Sequence, residues 1–431
     1  MPRFPGPLSR AMLDELSRYV IAEPWPFAVD IDRCRGMDLA TVDGQPVRDW
    51  GGLYGSRLIG WNHPRLRDPA VRERLASAAA CKTTNPDLLT PQCLAYYRLL
   101  HEELAPRCMR NDRLEVYAVN SGAEAVENLM KYFINLHLHR CQQRQVRPAL
   151  RRFIVFDQAF HGRTVYALNA TRLAHDPVMT LGFHGLTAHN LVVDFPTAEA
   201  AVAPALHAVA EAIECHGDEI AGIIVEPIQG AGGHRIAPAG FFARLSELAH
   251  RHGIPLGFDE VQTAGGQCGA VFAADLLDLP HPPMGIATAK KFGCGVVYML
   301  HPMDDLGVLD STWGGTLADM VRAVEEFAVV REERLIEQVP AKAERLVAGL
   351  DDLIARHPQR LGHRRGLGLY QGFTVFGAGA KAVLIDAALE RESLLLLGAG
   401  ADSIRLRPPL DVGAAEIDGL VAALGRLLMR M

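Results

Sequence analysis

Lysine is scarce in this chain. Of 44 basic residues only six are lysines, at Lys82, Lys131, Lys290, Lys291, Lys342 and Lys381, so chemistry that needs a lysine amine has few candidates. No apolar run approaches the roughly 20 residues that span a bilayer. The N-terminal MPRFPGPLSRAMLDEL lacks the apolar core and small-residue cleavage site of a signal peptide. A cytoplasmic protein without a membrane partner is expected. Net charge is −6, which gives no electrostatic reason to bind nucleic acid. The eight cysteines include no CxxC pair, so neither a zinc site nor a disulfide framework is indicated, and reduced thiols are expected.

What is present is the balance of an ordinary globular protein. The 431 residues are 49% apolar and 22% charged, enough for one large and one smaller domain. Residues 7–20 read as a short amphipathic helix. Residues 37–60 alternate and turn at Asp43-Gly44 like a hairpin, and the Gly-rich end, Gly51 to Gly60, implies backbone brought close to a ligand or to packed chain. From about residue 92 apolar, β-branched runs at 114–119, 152–156, 190–195, 220–227 and 254–258 alternate with helical segments. That pattern implies a mostly parallel sheet covered by helices, with ligands at the carboxyl ends of its strands. A long helical region is expected over 316–357, a joint at the Pro- and Gly-containing 358–366, and a small α+β domain after it.

The strand ends carry the chemistry. The first run ends in Asn120-Ser121-Gly122-Ala123 before a helix, where free amides and a positive dipole end suit a phosphate. The second is followed by Phe160, able to stack on an aromatic ring, and Arg163, able to fork a carboxylate. The fourth leads into Glu226 and a Gly-rich loop that suits the wall of a site. The fifth ends in Asp259-Glu260, with Gln262 close behind; Lys290-Lys291 comes about thirty residues on, and Ile404-Arg405-Leu406-Arg407 adds two more arginines. A carboxylate that keeps a pyridine nitrogen protonated and a lysine that holds an aldehyde as a Schiff base are what pyridoxal phosphate (PLP) requires. Asp259 suits the first role, Gln262 the ring hydroxyl, and either lysine of the pair the second.

The stretches NPDL (85–88), NSGAEAVENLMK (120–131), FHGRT (160–164), EPIQG (226–230), FDEVQT (258–263), AKK with Cys294-Gly295, STWGGTLADMVRA (311–323) and IRLRPPL (404–410) resemble the class III aminotransferases of PLP fold type I over nearly the whole chain. STWGG, the RxRPPL piece and the doubled lysine point to the lysine 6-aminotransferase branch. The resemblance implies an α/β fold with a seven-stranded, mostly parallel sheet in a large domain (92–330), a small α+β domain (331–431), and an N-terminal segment (1–91) joining the small domain. It implies a homodimer with sites at the subunit interface. Ser121, Gly122 and Ala123 would cup the phosphate, joined by Thr312 from the neighbouring subunit. Phe160 would stack on the ring, Asp259 and Gln262 would bind it, and Lys290 would be the Schiff-base lysine and proton shuttle. Arg163 would hold a substrate α-carboxylate, Arg405 the far carboxylate of 2-oxoglutarate or glutamate, and Glu226 would line the substrate side.

The implied reaction moves a terminal amino group from a diamino acid, L-lysine above all, to 2-oxoglutarate, giving a semialdehyde and glutamate. Two features depart from the family. Ala289 precedes the lysine where Gly is usual, so Lys291 remains an alternative. Ala231 replaces the glutamate of the family's EPxxGEGG loop, which gates the arginine equivalent to Arg405. Ornithine, diaminobutyrate or an anionic amino acid are therefore alternative donors. A racemase, decarboxylase or lyase, or a PLP-binding protein without turnover, are the rival readings.

Overall fold

The computed structural model describes residues 3–148, 150–180, 182–184, 189–303 and 307–430. Seven strands form the central sheet: β1 (Glu115–Val119), β2 (Arg152–Phe156), β3 (Leu191–Val193), β4 (Ile220–Val225), β5 (Leu256–Asp259), β6 (Gly285–Thr288) and β7 (Gly295–Met299), in the order β1-β7-β6-β5-β4-β2-β3. Strands β3, β2, β4, β5 and β6 run parallel, and β7 is antiparallel to both β6 and β1. Every residue of β4 to β7 is buried. This is why these strands read as continuous apolar runs rather than alternating ones.

Helix α1 (Gly122–Gln143) covers one face of the sheet. Its seat is made by three glycines on neighbouring strands. A Cβ added at Gly222, Gly257 or Gly285 would lie 2.3, 2.7 or 2.5 Å from Phe133 or Leu129. The missing side chains form a groove that Phe133 and Leu129 fill, and both are fully buried. The other face is packed by Phe241, Phe242 and Leu245 against Ile223, Val225 and Phe258. With both faces covered, the carboxyl edge of the sheet is left as the place where strand-end residues meet a ligand.

The rest of the fold closes over that edge. The expected long helix is two, Leu317–Glu332 and Val339–Arg356, broken where Arg334 takes a left-handed φ of 52° and Pro340 opens the second helix. The stretch 358–366, expected as a joint, is largely strand. Strands β8 (Leu361–Leu367), β9 (Tyr370–Val375), β10 (Leu397–Ala399) and β11 (Ser403–Leu406) form an antiparallel sheet in the order β8-β9-β11-β10. The expected hairpin is present as Asp38–Ala40 paired with Pro46–Asp49, and the latter pairs in parallel with Leu394–Leu395. Among the described residues no helix is long and apolar enough to cross a membrane, and no group of three or more His, Cys, Asp or Glu side chains could hold a metal.

Candidate active site

The ends of β1, β2, β5 and β6 converge on a cavity of about 290 Å³ lined by Ser121, Gly122, Ala123, Phe160, Asp259 and Lys290, among others. It adjoins a second cavity of about 620 Å³ that contains Arg163, Ala231, Gln262 and Arg405. Phe160 and Lys290 line both.

At the phosphate end, Ser121 caps helix α1. Its Oγ accepts from Glu124 N at 3.3 Å, and the Glu124 carboxylate accepts from the amides of Asn120 and Ser121, both at 2.8 Å. The Ser121 oxygen accepts in the cap, and its hydroxyl proton is still available to donate to an anion. The amides of Gly122 and Ala123, first in the helix and without partners within it, are further donors for an anion. Phe160 is anchored by its own N–H, which donates to Glu226 Oε1 at 2.9 Å. Gly162 permits this close turn: its φ is +129°, and a Cβ there would lie 2.7 Å from that of Ala123. Glu226 lines neither cavity. It is buried behind Phe160, with its carboxyl pKa raised by burial. The wall role expected of it becomes one of supporting Phe160.

Asp259, at the tip of β5, is buried, accepts from Val261 N at 3.0 Å, and has Oδ2 2.7 Å from Nδ1 of the buried His161. Burial alone would lower the His161 pKa; the hydrogen bond and charge of Asp259 outweigh it and leave it raised. Glu260 does different work. It accepts from the amides of Ala273 and Ala274 and from the Thr263 hydroxyl, and is a structural anchor.

The two lysines separate cleanly. Lys291 is fully buried, and its Nζ donates to Gln262 O at 2.6 Å, Tyr370 Oη at 2.7 Å and Gly55 O at 3.2 Å. All three ammonium donors are used in packing. Lys290, with φ of 52°, turns into both cavities and donates to Tyr54 O at 2.8 Å. Burial, with Arg405 and Arg407 adding repulsion, lowers its pKa to about 7. The Gly-rich segment anticipated between 51 and 60 is what receives both amines. Gly52, Leu53, Tyr54 and Gly55 have consecutive φ values of 54°, 49°, 61° and 77°, a single left-handed turn. Leu53 and Tyr54 each bear about 1–2 kcal/mol for that conformation. The buried Asp49 carboxylate holds it by accepting from the amides of Gly51, Gly52 and Leu53 at 2.8–2.9 Å.

Three arginines stand here, Arg405, Arg407 and Arg163, and among the described residues none of them pairs with a carboxylate. Arg405 is 8% exposed, and its Nε and Nη1 have no hydrogen-bond partner. Burial and the neighbouring Arg407 lower its pKa to about 9. Arg407 is held by Gln262 Oε1 at 3.0 and 3.2 Å, by His234 Nδ1 at 2.8 Å and by the face of Tyr370, 4.3 Å from the ring centroid. The Gln262 carbonyl is therefore committed to Arg407, and only its amide nitrogen is left to meet a ring oxygen. Arg163 is exposed on the wall of the larger cavity. Thr312 is exposed and lines neither cavity of its own chain. Its turn is pinned by Asn85, whose Nδ2 donates to Trp313 O at 3.0 Å and Gly315 O at 3.2 Å.

His161, His234, Asp49 and Tyr54 belong to the site and were not expected from sequence. His161 stands beside Phe160 in FHGRT, so its position after a strand end was the available signal. Tyr54 and His234 act through Lys290 and Arg407, each more than a hundred residues away, whereas Asp49 acts on the amides of Gly51, Gly52 and Leu53 beside it.

The residues suit PLP. A helix N-terminus offers two amides for the phosphate, an aromatic side chain faces the gap, a buried carboxylate closes one end, an amine of low pKa reaches the other, and two unpaired Arg405 nitrogens look for an anion.

Known proteins give the same picture. The family model described as Aminotransferase class-III matches residues 20–428. The L-lysine-epsilon aminotransferase of Mycobacterium tuberculosis is 32% identical over 427 residues, covering 95% of this chain and 93% of that one. An acetylornithine aminotransferase of Thermosynechococcus vestitus is 28% identical over 439 residues, covering 99% of each. The solved lysine aminotransferase from M. tuberculosis in the internal aldimine form superposes with a TM-score of 0.90 at 31% identity, covering 98% of this chain and 99% of that one.

Proposed function

The chain belongs to the class III aminotransferases, transferases that work with PLP, and on that premise we propose that it moves the terminal amino group of L-lysine to 2-oxoglutarate. One observation carries the reading. Lys290 shares a single cavity of about 620 Å³ with two arginines, Arg163 and Arg405. Two substrates that use one site in turn need such a pair: the donor engages one carboxylate and the acceptor engages two. The similarity to lysine-epsilon aminotransferases supports lysine as the donor.

PLP supplies an electron sink for the substrate carbon that loses its proton. The chain supplies the rest. Lys290, whose pKa burial lowers to about 7, would be able both to take and to give a proton at neutral pH beside the substrate carbon. Asp259, hydrogen-bonded to His161, would hold the pyridine nitrogen and favour its protonated form. Ser121, Gly122 and Ala123 would hold the phosphate, joined by Thr312 of a second copy in a homodimer. Phe160 would stack on the ring and shield one face from water. Arg163 takes the α-carboxylate of lysine and so sets its ε-carbon over the ring.

A second reading has support in Arg405, which is buried without an acid beside it. A donor with a distal carboxylate, such as glutamate, would satisfy it in both half-reactions. The experiment is a donor screen against 2-oxoglutarate, scoring glutamate formed and cyclised semialdehyde trapped from lysine. Turnover with lysine supports the reading. Turnover with anionic donors alone overturns it in favour of the second.

A further inference from the structure

We propose that Arg407 is a positioning residue for the cofactor: backed by His234, it fixes the Gln262 side-chain amide so that the nitrogen, and not the oxygen, is presented to the cavity of Lys290. This rests on the reading above that PLP lies in that cavity with its ring oxygen beside Gln262.

The two ends of a glutamine amide are almost the same size, so packing does not choose between them and hydrogen-bond partners must. Gln262 is gripped twice. Its backbone carbonyl accepts from Lys291 Nζ at 2.6 Å, and its Oε1 accepts from Arg407 Nε at 3.2 Å and Nη2 at 3.0 Å. A guanidinium carries five N–H donors and no acceptor, so it can face only the oxygen end of the amide. Among the described residues the Gln262 Nε2 has no hydrogen-bond partner, and Gln262 lines the same cavity as Lys290 and Phe160. Two glycines make the seat tight. A Cβ at Gly230 would lie 1.8 Å from Gln262 Oε1, and one at Gly55 would lie 3.4 Å from Gln262 Cγ and 3.5 Å from Arg407 Cδ.

Arg407 is itself fixed. It is buried just beyond the end of β11, its Nη1 donates to Leu406 O at 2.9 Å, and its guanidinium lies on the face of Tyr370. Its Nη2 stands 2.8 Å from His234 Nδ1. Because the guanidinium must donate, His234 Nδ1 accepts, and the imidazole is neutral with its proton on Nε2. Burial, and after it the charge of Arg407, push the His234 pKa down and favour that neutral form. Gly372 on β9 makes room for the ring: a Cβ there would lie 2.4 Å from His234 Cδ2. His234, Arg407 and Gln262 thus form a chain in which each side chain has one orientation open to it. A neutral amide in place of Arg407 could donate or accept, and Gln262 would be free to turn over. With its nitrogen outward, Gln262 offers a proton to the ring oxygen. The charge on that oxygen is partly neutralised while the nitrogen joined to Lys290 is protonated, and is bare once that proton has left. The donor therefore favours the loss of the proton.

The test titrates the cofactor absorbance of the PLP-loaded enzyme with pH, because its midpoint reports that proton. The native enzyme is compared with Gln262→Met, Arg407→Met and the double variant, with thermal midpoints to confirm folding. Arg407→Gln, closer in shape, carries the same comparison if Arg407→Met does not fold. Losing a hydrogen bond to a charged group is expected to raise the midpoint by about one to two pH units, in Gln262→Met and in Arg407→Met alike. Part of the rise in Arg407→Met comes from the lost positive charge, so the deciding quantity is the coupling between the two positions. With Gln262→Met already in place, the change at Arg407 is expected to add only that charge effect, less than it adds to the native enzyme. If it raises the midpoint equally in both backgrounds, Arg407 acts by charge and not through Gln262, and the proposal fails. If Gln262→Met raises the midpoint and the Arg407 variants do not, the amide needs no positioning and the proposal fails. If Gln262→Met itself leaves the midpoint unchanged, Gln262 does not meet the ring oxygen, and the reading beneath the proposal fails instead.

Discussion

Replacing Ala231 by Glu puts a carboxylate on the wall of the cavity that holds Arg405. The guanidinium is 8% exposed, and its Nε and Nη1 are without partners, so the introduced acid meets two waiting donors. A hydrogen bond to a charged group is worth about 1.5–3 kcal/mol net, and burying the new carboxylate costs several kcal/mol of desolvation. Taking the fork's two bonds less that desolvation as about one bond's worth leaves 1.5–3 kcal/mol. A dicarboxylic substrate must displace this intramolecular partner, so its affinity falls about ten- to hundredfold. Lysine, which has no distal carboxylate, loses nothing and gains a site whose extra positive charge is neutralised. The assay is rapid-mixing single turnover, following the cofactor absorbance with lysine and with glutamate in separate experiments. The half-saturating glutamate concentration is expected to rise by that factor, while lysine reacts as fast as before or faster. If the substitution leaves both reactions unaltered, Arg405 is not the distal anion site and the account of the cavity is wrong.

Other outcomes follow from single contacts. Phe133→Ala empties the groove formed by Gly222, Gly257 and Gly285 and should cost about 3–5 kcal/mol in denaturant unfolding; a loss under 1 kcal/mol would mean the helix is not seated there. Asp49→Ala removes three amide hydrogen bonds from the left-handed turn at 52–55. It should lower stability by about 3 kcal/mol and speed amide exchange there first; unchanged exchange would refute the anchoring role. The Lys290 pKa, lowered to about 7 by burial, sets the pH dependence of cofactor capture. Only the neutral amine reacts with the aldehyde, so the rate at which cofactor-free protein takes up PLP should rise with pH through about 7 and level off above it. A rate still climbing at high pH, as for an ordinary lysine, would contradict this.

Much of this arrangement is legible in the residues. The strands at 152–156 and 220–225 are visible because burial on both faces demands unbroken apolar runs, and Asp259 because it ends one of them. The strand Gly295–Met299 was not singled out, since it follows Lys290-Lys291 after a few residues and pairs antiparallel in an otherwise parallel sheet. The joint expected at 358–366 rests on glycines that resemble a linker, while Leu361–Leu367 forms a strand. Gly362 in fact makes room for Phe376, and Gly366, with φ of 145°, lies against the Tyr370 carbonyl. The choice between Lys290 and Lys291 needed three dimensions: adjacent residues with the same chemistry differ only in that one amine is consumed by Gly55, Gln262 and Tyr370.

The central claim is that Lys290 is the amine that holds the cofactor. Borohydride reduction of the PLP-loaded enzyme, followed by proteolysis and fragment-ion mass spectrometry, locates the phosphopyridoxyl group within the Ala289–Phe292 stretch. The account predicts that it lies wholly on Lys290, with Lys291 unmodified. A label on Lys291, or on any of the other four lysines, would contradict it.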